Sequence, residues 1–258
     1  MMEPERSANV ACRELCLERQ GQRVLDNLSC AFHPGELTAV IGPNGAGKSS
    51  LLQLLAGVLN ASAGEVSINE QPLADFSPAA RARLCAYLPQ SEVPAWSVSA
   101  ADLVALGLLP WGRLKDREER VRRALGKVGG ADFAQRAVTR LSGGELRRVQ
   151  LARLLVGEAP LLIADEPTAA LDIRHQLQLL QTLRGIADSG KTVILALHDL
   201  SLAARFCDRV ILLDEGRLRA QGTPRDVFTP AMIGDVYGVS CEFRWRDGEP
   251  EFVVFDLI

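Results

Sequence analysis

An α/β fold built on a mainly parallel sheet is the class this sequence predicts, and three observations predict it. Short apolar runs recur as LTAVI (37–41), LLIAD (161–165), TVILAL (192–197) and RVILLD (209–214). Each has the length and composition of a buried strand. Three of them are followed by helical patterns, and that alternation gives a parallel sheet with helices packed on it. Between the first run and the helical pattern KSSLLQLLAG lies the glycine-rich turn GPNGAGKS (42–49).

The opening stretch MMEPERSANVACREL carries acidic residues and no apolar core, so it does not read as a secretory leader. Nowhere do about 18 apolar residues follow one another, the length needed to span a bilayer. At 258 residues, 47% apolar and 24% charged, the chain fits one globular domain spanning 1–258. The 29 basic against 32 acidic residues give a formal charge of -3, which lacks the positive field that nucleic-acid binding needs, so no nucleic-acid partner is expected. Cys12, Cys16, Cys30, Cys85, Cys207 and Cys241 are scattered without a close Cys-x-x-Cys pair and read as reduced, packed thiols.

GPNGAGKS satisfies G-x-x-x-x-G-K-[ST] in full, directly after a strand and directly before a helix, the context that confirms a phosphate-binding loop. Gly42, Pro43, Asn44, Gly45, Ala46 and Gly47 form a bare backbone whose N–H groups, lacking only at Pro43, converge on phosphate oxygens. Lys48 adds a full charge there, and Ser49 and Ser50 open the helix, with Ser49 placed to ligate Mg²⁺.

The stretch from Pro94 to Arg140 shows no clear strand, holds Trp96 and Trp111, and contains the charged run RLKDREERVRR. It reads as a helical lobe inserted into the α/β core, reaching about residues 94–155 once the helix LRRVQLARLLV is included. LSGGE (141–145) opens that helix. Ser142, Gly143 and Gly144 then form either a second anion site at a helix N-terminus or, with Glu145, an ordinary capping box.

LLIADEP places Asp165 and Glu166 at the C-terminal end of a buried strand, where ligands gather in open α/β sheets. Beside a phosphate loop, Asp165 is expected to hold Mg²⁺ through water, and Glu166 to polarise the attacking water as a general base. In DIRHQLQLLQTLRGIA, Ile173, Leu177, Leu180 and Leu183 recur at three and four and are expected on one buried helix face. His198 ends the strand TVILAL and either touches the γ phosphate or is a plain hydrogen-bonded residue. Gln90 in YLPQ signals nothing by itself. At the far end, CEFRWR and EFVVFD flank Asp247-Gly248, which predicts a hairpin over about 240–258.

Taken in order, GPNGAGKS, YLPQ, LSGGE, LLIADEP, AALD and LHD resemble the nucleotide-binding subunits of ABC transporters over nearly the whole chain. The resemblance implies a P-loop NTPase core with an antiparallel β portion and an inserted helical subdomain, and ATP and Mg²⁺ as cofactors. It implies a head-to-tail, ATP-dependent homodimer in which each ATP lies between one chain's phosphate loop and the other chain's LSGGE. On this resemblance Lys48 and Ser49 grip phosphate and metal, Asp165 positions the metal, and Glu166 is the base. His198 senses the γ phosphate, Asp172 crosses the dimer seam, and Gln90 reaches the metal and links the site to a membrane partner. The family usually stacks an aromatic residue on adenine; here Arg19 stands nearest that position, either stacking by its guanidinium or simply solvated.

The segments VALGLLPWG, HDLSLAARFCDRVILLDEGRLRAQGTP and TPAMIGDVYGV are similar to the importers of iron-siderophore complexes, haem and cobalamin. That implies an ATPase bound peripherally to the cytoplasmic face of the bacterial inner membrane, with two transmembrane permease subunits. A periplasmic or lipoprotein solute-binding protein acts in the same system indirectly. The alternative is a soluble ABC ATPase that moves no solute, such as an iron-sulfur assembly ATPase.

Overall fold

A computed structural model describes residues 7–90, 97–246 and 249–257. The chain begins with β1 (Val10–Arg19), β2 (Gln22–Phe32), β3 (Leu37–Ile41), α1 (Lys48–Leu55), β4 (Ala63–Ile68) and β5 (Gln71–Pro72). Next come α2 (Pro78–Leu84), β6 (Cys85–Leu88), α3 (Ala100–Ala105), α4 (Arg117–Lys127), α5 (Gly143–Val156) and β7 (Leu161–Asp165). The rest is α6 (Ile173–Asp188), β8 (Thr192–Ala196), α7 (Leu200–Phe206), β9 (Arg209–Asp214), β10 (Arg217–Gly222), α8 (Pro224–Val227), α9 (Pro230–Tyr237), β11 (Val239–Arg246) and β12 (Glu249–Leu257).

The four apolar runs are β3, β7, β8 and β9, and they lie in a six-stranded sheet of order β10-β9-β3-β8-β7-β6. All its pairs are parallel except β10 with β9. Because side chains alternate across a strand, each run divides between two cores. Leu37, Ala39, Ile41, Leu162, Ala164, Val193 and Leu195 face the core built with α6, α7 and α9. Val40, Leu161, Ile163, Ile194 and Ala196 face the core that holds α1 and the β1–β2 sheet. Strands buried on both faces read as continuous apolar runs, which is why they stand out.

The second sheet is antiparallel, β2-β1-β4-β5. Its first strands carry no clean alternation, since Glu14 (φ +48°) and Asn27 (φ +51°) sit in the left-handed region and the β1–β2 and β1–β4 registers shift near them. The two sheets are joined at Asp26, whose N–H donates to the Gly216 carbonyl and whose carboxylate accepts from Arg217 Nε at 2.9 Å.

In the lobe, Val121, Ala124 and Leu125 of α4 pack with Leu103 and Val104 of α3 and with Val149, Ala152 and Val156 of α5. The opposite side of α5, through Leu151, Leu154 and Leu155, belongs to the main core. Pro94 and Trp96, at the expected start of the lobe, lie outside the described residues. So does the Asp247-Gly248 turn, although β11 and β12 pair as the expected antiparallel hairpin. The hairpin is fastened by Phe243 stacked on Phe228 at 5.0 Å.

The expected stripe of α6 needs correction. Its buried residues are Leu179, Leu180, Leu183 and Ala187, whereas Ile173 is 76% exposed and Leu177 only half-buried. Ile173 is the first residue after the cap, so it precedes the part of the helix that lies against the sheet. The six cysteines are free thiols, five of them buried, and Cys12 and Cys30 face each other across β1 and β2 with sulfurs 3.2 Å apart.

Candidate active site

The loop between β3 and α1 is tight enough to require glycine. Gly42 (φ +150°) and Gly47 (φ +95°) adopt backbone conformations that side chains rarely reach. A Cβ on Gly42 would stand 2.1 Å from the Leu213 carbonyl oxygen, and one on Gly47 would stand 2.6 Å from Leu25 Cδ2. The loop is therefore wedged between β9 and β2. α1 begins at Lys48 with Gly47 as its cap and no side chain bonded to its first N–H groups, which leaves the positive end of the helix to an anion. Lys48 is buried, and its Nζ donates to the carbonyl oxygens of Gly42 at 2.7 Å and Pro43 at 2.8 Å. Burial pulls its ammonium below the usual lysine value, while the charges of Glu166 and Asp165 oppose that shift.

Asp165, 2% exposed, ends β7 beside this loop. Burial raises its carboxyl above the ordinary range, and a hydrogen bond from the Ser49 hydroxyl works against that. Its Oδ1 is buried with no hydrogen-bond partner. A buried carboxylate oxygen without a partner is costly, and a cation beside it would satisfy it. With the Ser49 hydroxyl it forms the hard-oxygen donor set that Mg²⁺ prefers. Among the described residues no group of three or more His, Cys, Asp or Glu could hold a metal alone. A Mg²⁺ here would thus need oxygens from phosphate and water besides those two residues.

Glu166 follows in the left-handed region, at φ +47°. Its N–H donates to the Ala196 carbonyl at 3.2 Å, and its Oε1 lies 2.5 Å from His198 Nε2. The ends of β7 and β8 thus bring together Asp165, Glu166 and His198, residues 33 positions apart in sequence. A carboxylate held this way, mostly shielded while His198 is half-exposed, can accept a proton from water.

The remaining expected residues are placed less centrally. Gln90 is exposed, and its carbonyl accepts from Arg147 Nη1 at 3.4 Å, so the structure connects it to the site through backbone. Ser142 caps α5 and forms the full capping box with Glu145, whose carboxylate also meets Arg136 at 3.1 Å. The Ser142 hydrogen bonds hold the Glu145 carboxyl below its usual range. Ser142 and Gly143 are exposed and Gly144 half-buried; Ser142 and Glu145 bond to each other, and Glu145 to Arg136. Asp172 caps α6, accepting from the His175 backbone at 2.9 Å and its ring at 2.8 Å. Arg19 is exposed at the end of β1, opposite Gln22.

Two further residues stand in the site that the sequence reading gave no role. The hydroxyl of Tyr87, the first residue of YLPQ, is pushed up to about 12 by burial and by the charge of Asp165. Arg147, 5% exposed, fills the space between the ends of β6 and β7. A signal for it existed: Arg147 shares the i, i+4, i+7 face of Leu151 and Leu154, which are buried.

A model of the ABC transporter family matches residues 25–169. The hemin import ATP-binding protein HmuV of Agrobacterium fabrum is 42% identical over 238 residues, which are 89% of this chain and 91% of that protein. The cobalamin import ATP-binding protein BtuD of Halobacterium salinarum is 42% identical over 224 residues, 85% of this chain and 56% of that protein. Among solved structures, the ATP-binding cassette MJ0796 in a dimeric post-hydrolysis state bound to ADP and Pi superposes with a TM-score of 0.76 at 27% identity. It covers 84% of this chain and 99% of its own. With a full phosphate loop, two carboxylates and a histidine gathered at the strand ends, and relatives of this kind over most of its length, the chain belongs to the ABC transporter family and is an ATP-binding, ATP-hydrolysing member of it.

Proposed function

We propose that this chain is the ATP-hydrolysing subunit of an importer that carries a metal chelate of the haem, cobalamin or iron-siderophore class through separate membrane subunits. The observation that carries the reading is the 42% identity to a hemin import ATPase across 91% of that protein. Among the described residues no helix is long and apolar enough to cross a membrane, which fits a pathway supplied by other chains. In this reading the protein sits at the cytoplasmic face of the membrane against two permease subunits, with a solute-binding protein on the far side.

Within the site, the N–H groups of residues 44–50 and Lys48 bind the phosphates, and Ser49 and Asp165 would hold Mg²⁺. A bound Mg²⁺ supplies neutralisation of the charge that develops on the phosphate oxygens. Glu166 accepts the proton of the attacking water, and His198, already at its carboxylate, orients it toward the γ phosphate. Ser142, Gly143 and Gly144 serve the second copy's nucleotide across the dimer, beside Asp172 at the seam. Gln90 reports occupancy to the permease, and Arg19 meets the adenine.

The test is reconstitution. The chain is co-purified with its membrane subunits, placed in proteoliposomes, and its ATPase measured with the binding protein loaded with haem, cobalamin or a ferric siderophore. One chelate is expected to stimulate hydrolysis and enter the vesicles. If no membrane subunit co-purifies and none of the three changes the rate, the import reading fails while ATP hydrolysis stands.

A further inference from the structure

We propose that Arg147 is a positioning residue for Glu166, tying the loop that carries the base to the helix that begins with LSGGE. The proposal rests on the reading of Glu166 as the base. The guanidinium's Nη2 donates at 2.7 Å to the carbonyl oxygens of both Asp165 and Glu166. Its Nε donates to the Pro167 carbonyl at 3.3 Å, and Nη1 to the Pro89 and Gln90 carbonyls at 3.0 and 3.4 Å. Gln150 Oε1, one turn along α5, takes a further bond at 3.4 Å. One side chain thus binds three successive carbonyls, 165–167, and the two that follow β6, 89 and 90.

The chemistry favours arginine in this place. Guanidinium keeps its charge when buried and presents five N–H donors in a fixed plane, so it can serve several carbonyls that point inward from two loops. Lysine has a compact ammonium with three donors. Arg147 gives these inward-pointing carbonyls a donor in place of water, and that of Glu166 accepts from the Ala169 N–H at 3.1 Å as well.

The consequence falls on Glu166. Its φ of +47° is unfavourable for a glutamate and persists only where the surroundings impose it. Three bonds to its backbone do so: its N–H to the Ala196 carbonyl fixes it to β8, and its carbonyl accepts from the Ala169 N–H at 3.1 Å and from Arg147, which fixes it to α5. α5 is in turn packed into the lobe through Val149, Ala152 and Val156. Any displacement of the lobe that carries α5 must therefore move the Glu166 carbonyl and the Pro89-Gln90 carbonyls together. Arg147 makes the placement of the base dependent on the placement of the lobe.

The experiment compares Arg147→Gln, Arg147→Lys, Glu166→Gln and the double variant Arg147→Gln/Glu166→Gln, reading kcat and KM for ATP on the full chain. Arg147→Gln should lower kcat by about 10-fold or more with KM within about twofold, because a base displaced by on the order of 1 Å loses turnover and leaves ground-state binding intact. Arg147→Lys should recover part of the loss, since it keeps charge without the planar fork. In the Glu166→Gln background the same change should alter the residual rate by less than about twofold, the signature of two residues acting through one group. A kcat for Arg147→Gln near the parent's, a loss carried by KM, or a loss that multiplies fully in the double variant overturns the proposal. If Arg147→Gln does not fold, Arg147→Lys is read by the same kcat and KM criteria. Full turnover in Glu166→Gln would instead remove the base reading, and this proposal with it.

Discussion

Adding one methyl group at Gly42 should damage the protein far more than adding one at Gly45, three residues away in the same loop. Both glycines have positive φ, +150° and +82°. A Cβ at Gly45 meets nothing within 4 Å, so Gly45→Ala carries backbone strain alone, about 1–3 kcal/mol. A Cβ at Gly42 falls 2.1 Å from the Leu213 carbonyl oxygen, which is backbone of β9, held between β10 and β3, and cannot swing aside. Since ordinary contact begins at 3.4 Å, the loop or β9 must move by on the order of 1 Å, adding about 1–3 kcal/mol of overpacking. The combined cost of about 2–6 kcal/mol, at about 2–4 °C per kcal/mol for a chain of this size, lowers Tm by on the order of 10 °C for Gly42→Ala. The displaced loop should also lose turnover, by about 10²-fold for an error of that size. Thermal melting, fluorescent-nucleotide titration and steady-state ATPase on the two variants and the parent measure this. If Gly42→Ala melts within about 2 °C of Gly45→Ala and hydrolyses at the same rate, the account of the loop as wedged against Leu213 is wrong.

Lys48→Ala should bind ATP at least about 10-fold more weakly by the same titration, since it removes the only full positive charge of the loop. Glu166→Gln should bind ATP and Mg²⁺ normally, turn over about 10²-fold more slowly, and elute as a dimer on sizing chromatography with both ligands present. For Arg19, replacement by Ala should weaken ATP binding by about 0.5–1 kcal/mol and replacement by Tyr should restore or tighten it; equal affinity in all three removes Arg19 from the base-binding surface. Asp26 gives a pH prediction. Arg217 and Arg23 hydrogen bonds hold its carboxyl below the ordinary aspartate value of 3.8, so its contribution to stability is present above that value and is lost as pH falls through the depressed one. Asp26→Asn should therefore melt earlier than the parent at pH 6, and the gap between the two Tm values should close on acidification below 3.8.

The parts of the fold that could be read from the sequence are those whose signal is local. β3, β7, β8 and β9 are buried on both faces, so each appears as an unbroken apolar run with the observed bounds, apart from Leu197. The phosphate loop is legible because its residues are contiguous. β1 and β2 escaped residue-level reading because Glu14 and Asn27 break their alternation. Ile173 misled because periodicity says which residues share a face and not how far the neighbouring surface extends. Arg147 was hidden for a further reason: its partners are carbonyl groups, which every residue has, and only the fold brings five of them to one place. The contact of His198 with Glu166 likewise depends on two strands being neighbours, a fact of topology rather than of spacing.

The double burial of α5 sets a limit on rebuilding this protein by exchange of parts. A graft that replaces the lobe with one from a relative, to change its membrane partner, must cut the chain somewhere near this helix. A junction after Val156 would bring in the donor's whole helix, so foreign residues at 151, 154 and 155 would have to pack on the native main core along with the foreign lobe face at 149, 152 and 156. Junctions on either side of 97–140 avoid that mismatch and leave α5 with the sheet. Such a chimera must still match the donor's α3 and α4 to three recipient side chains, and those three positions are where compensating substitutions should be sought first.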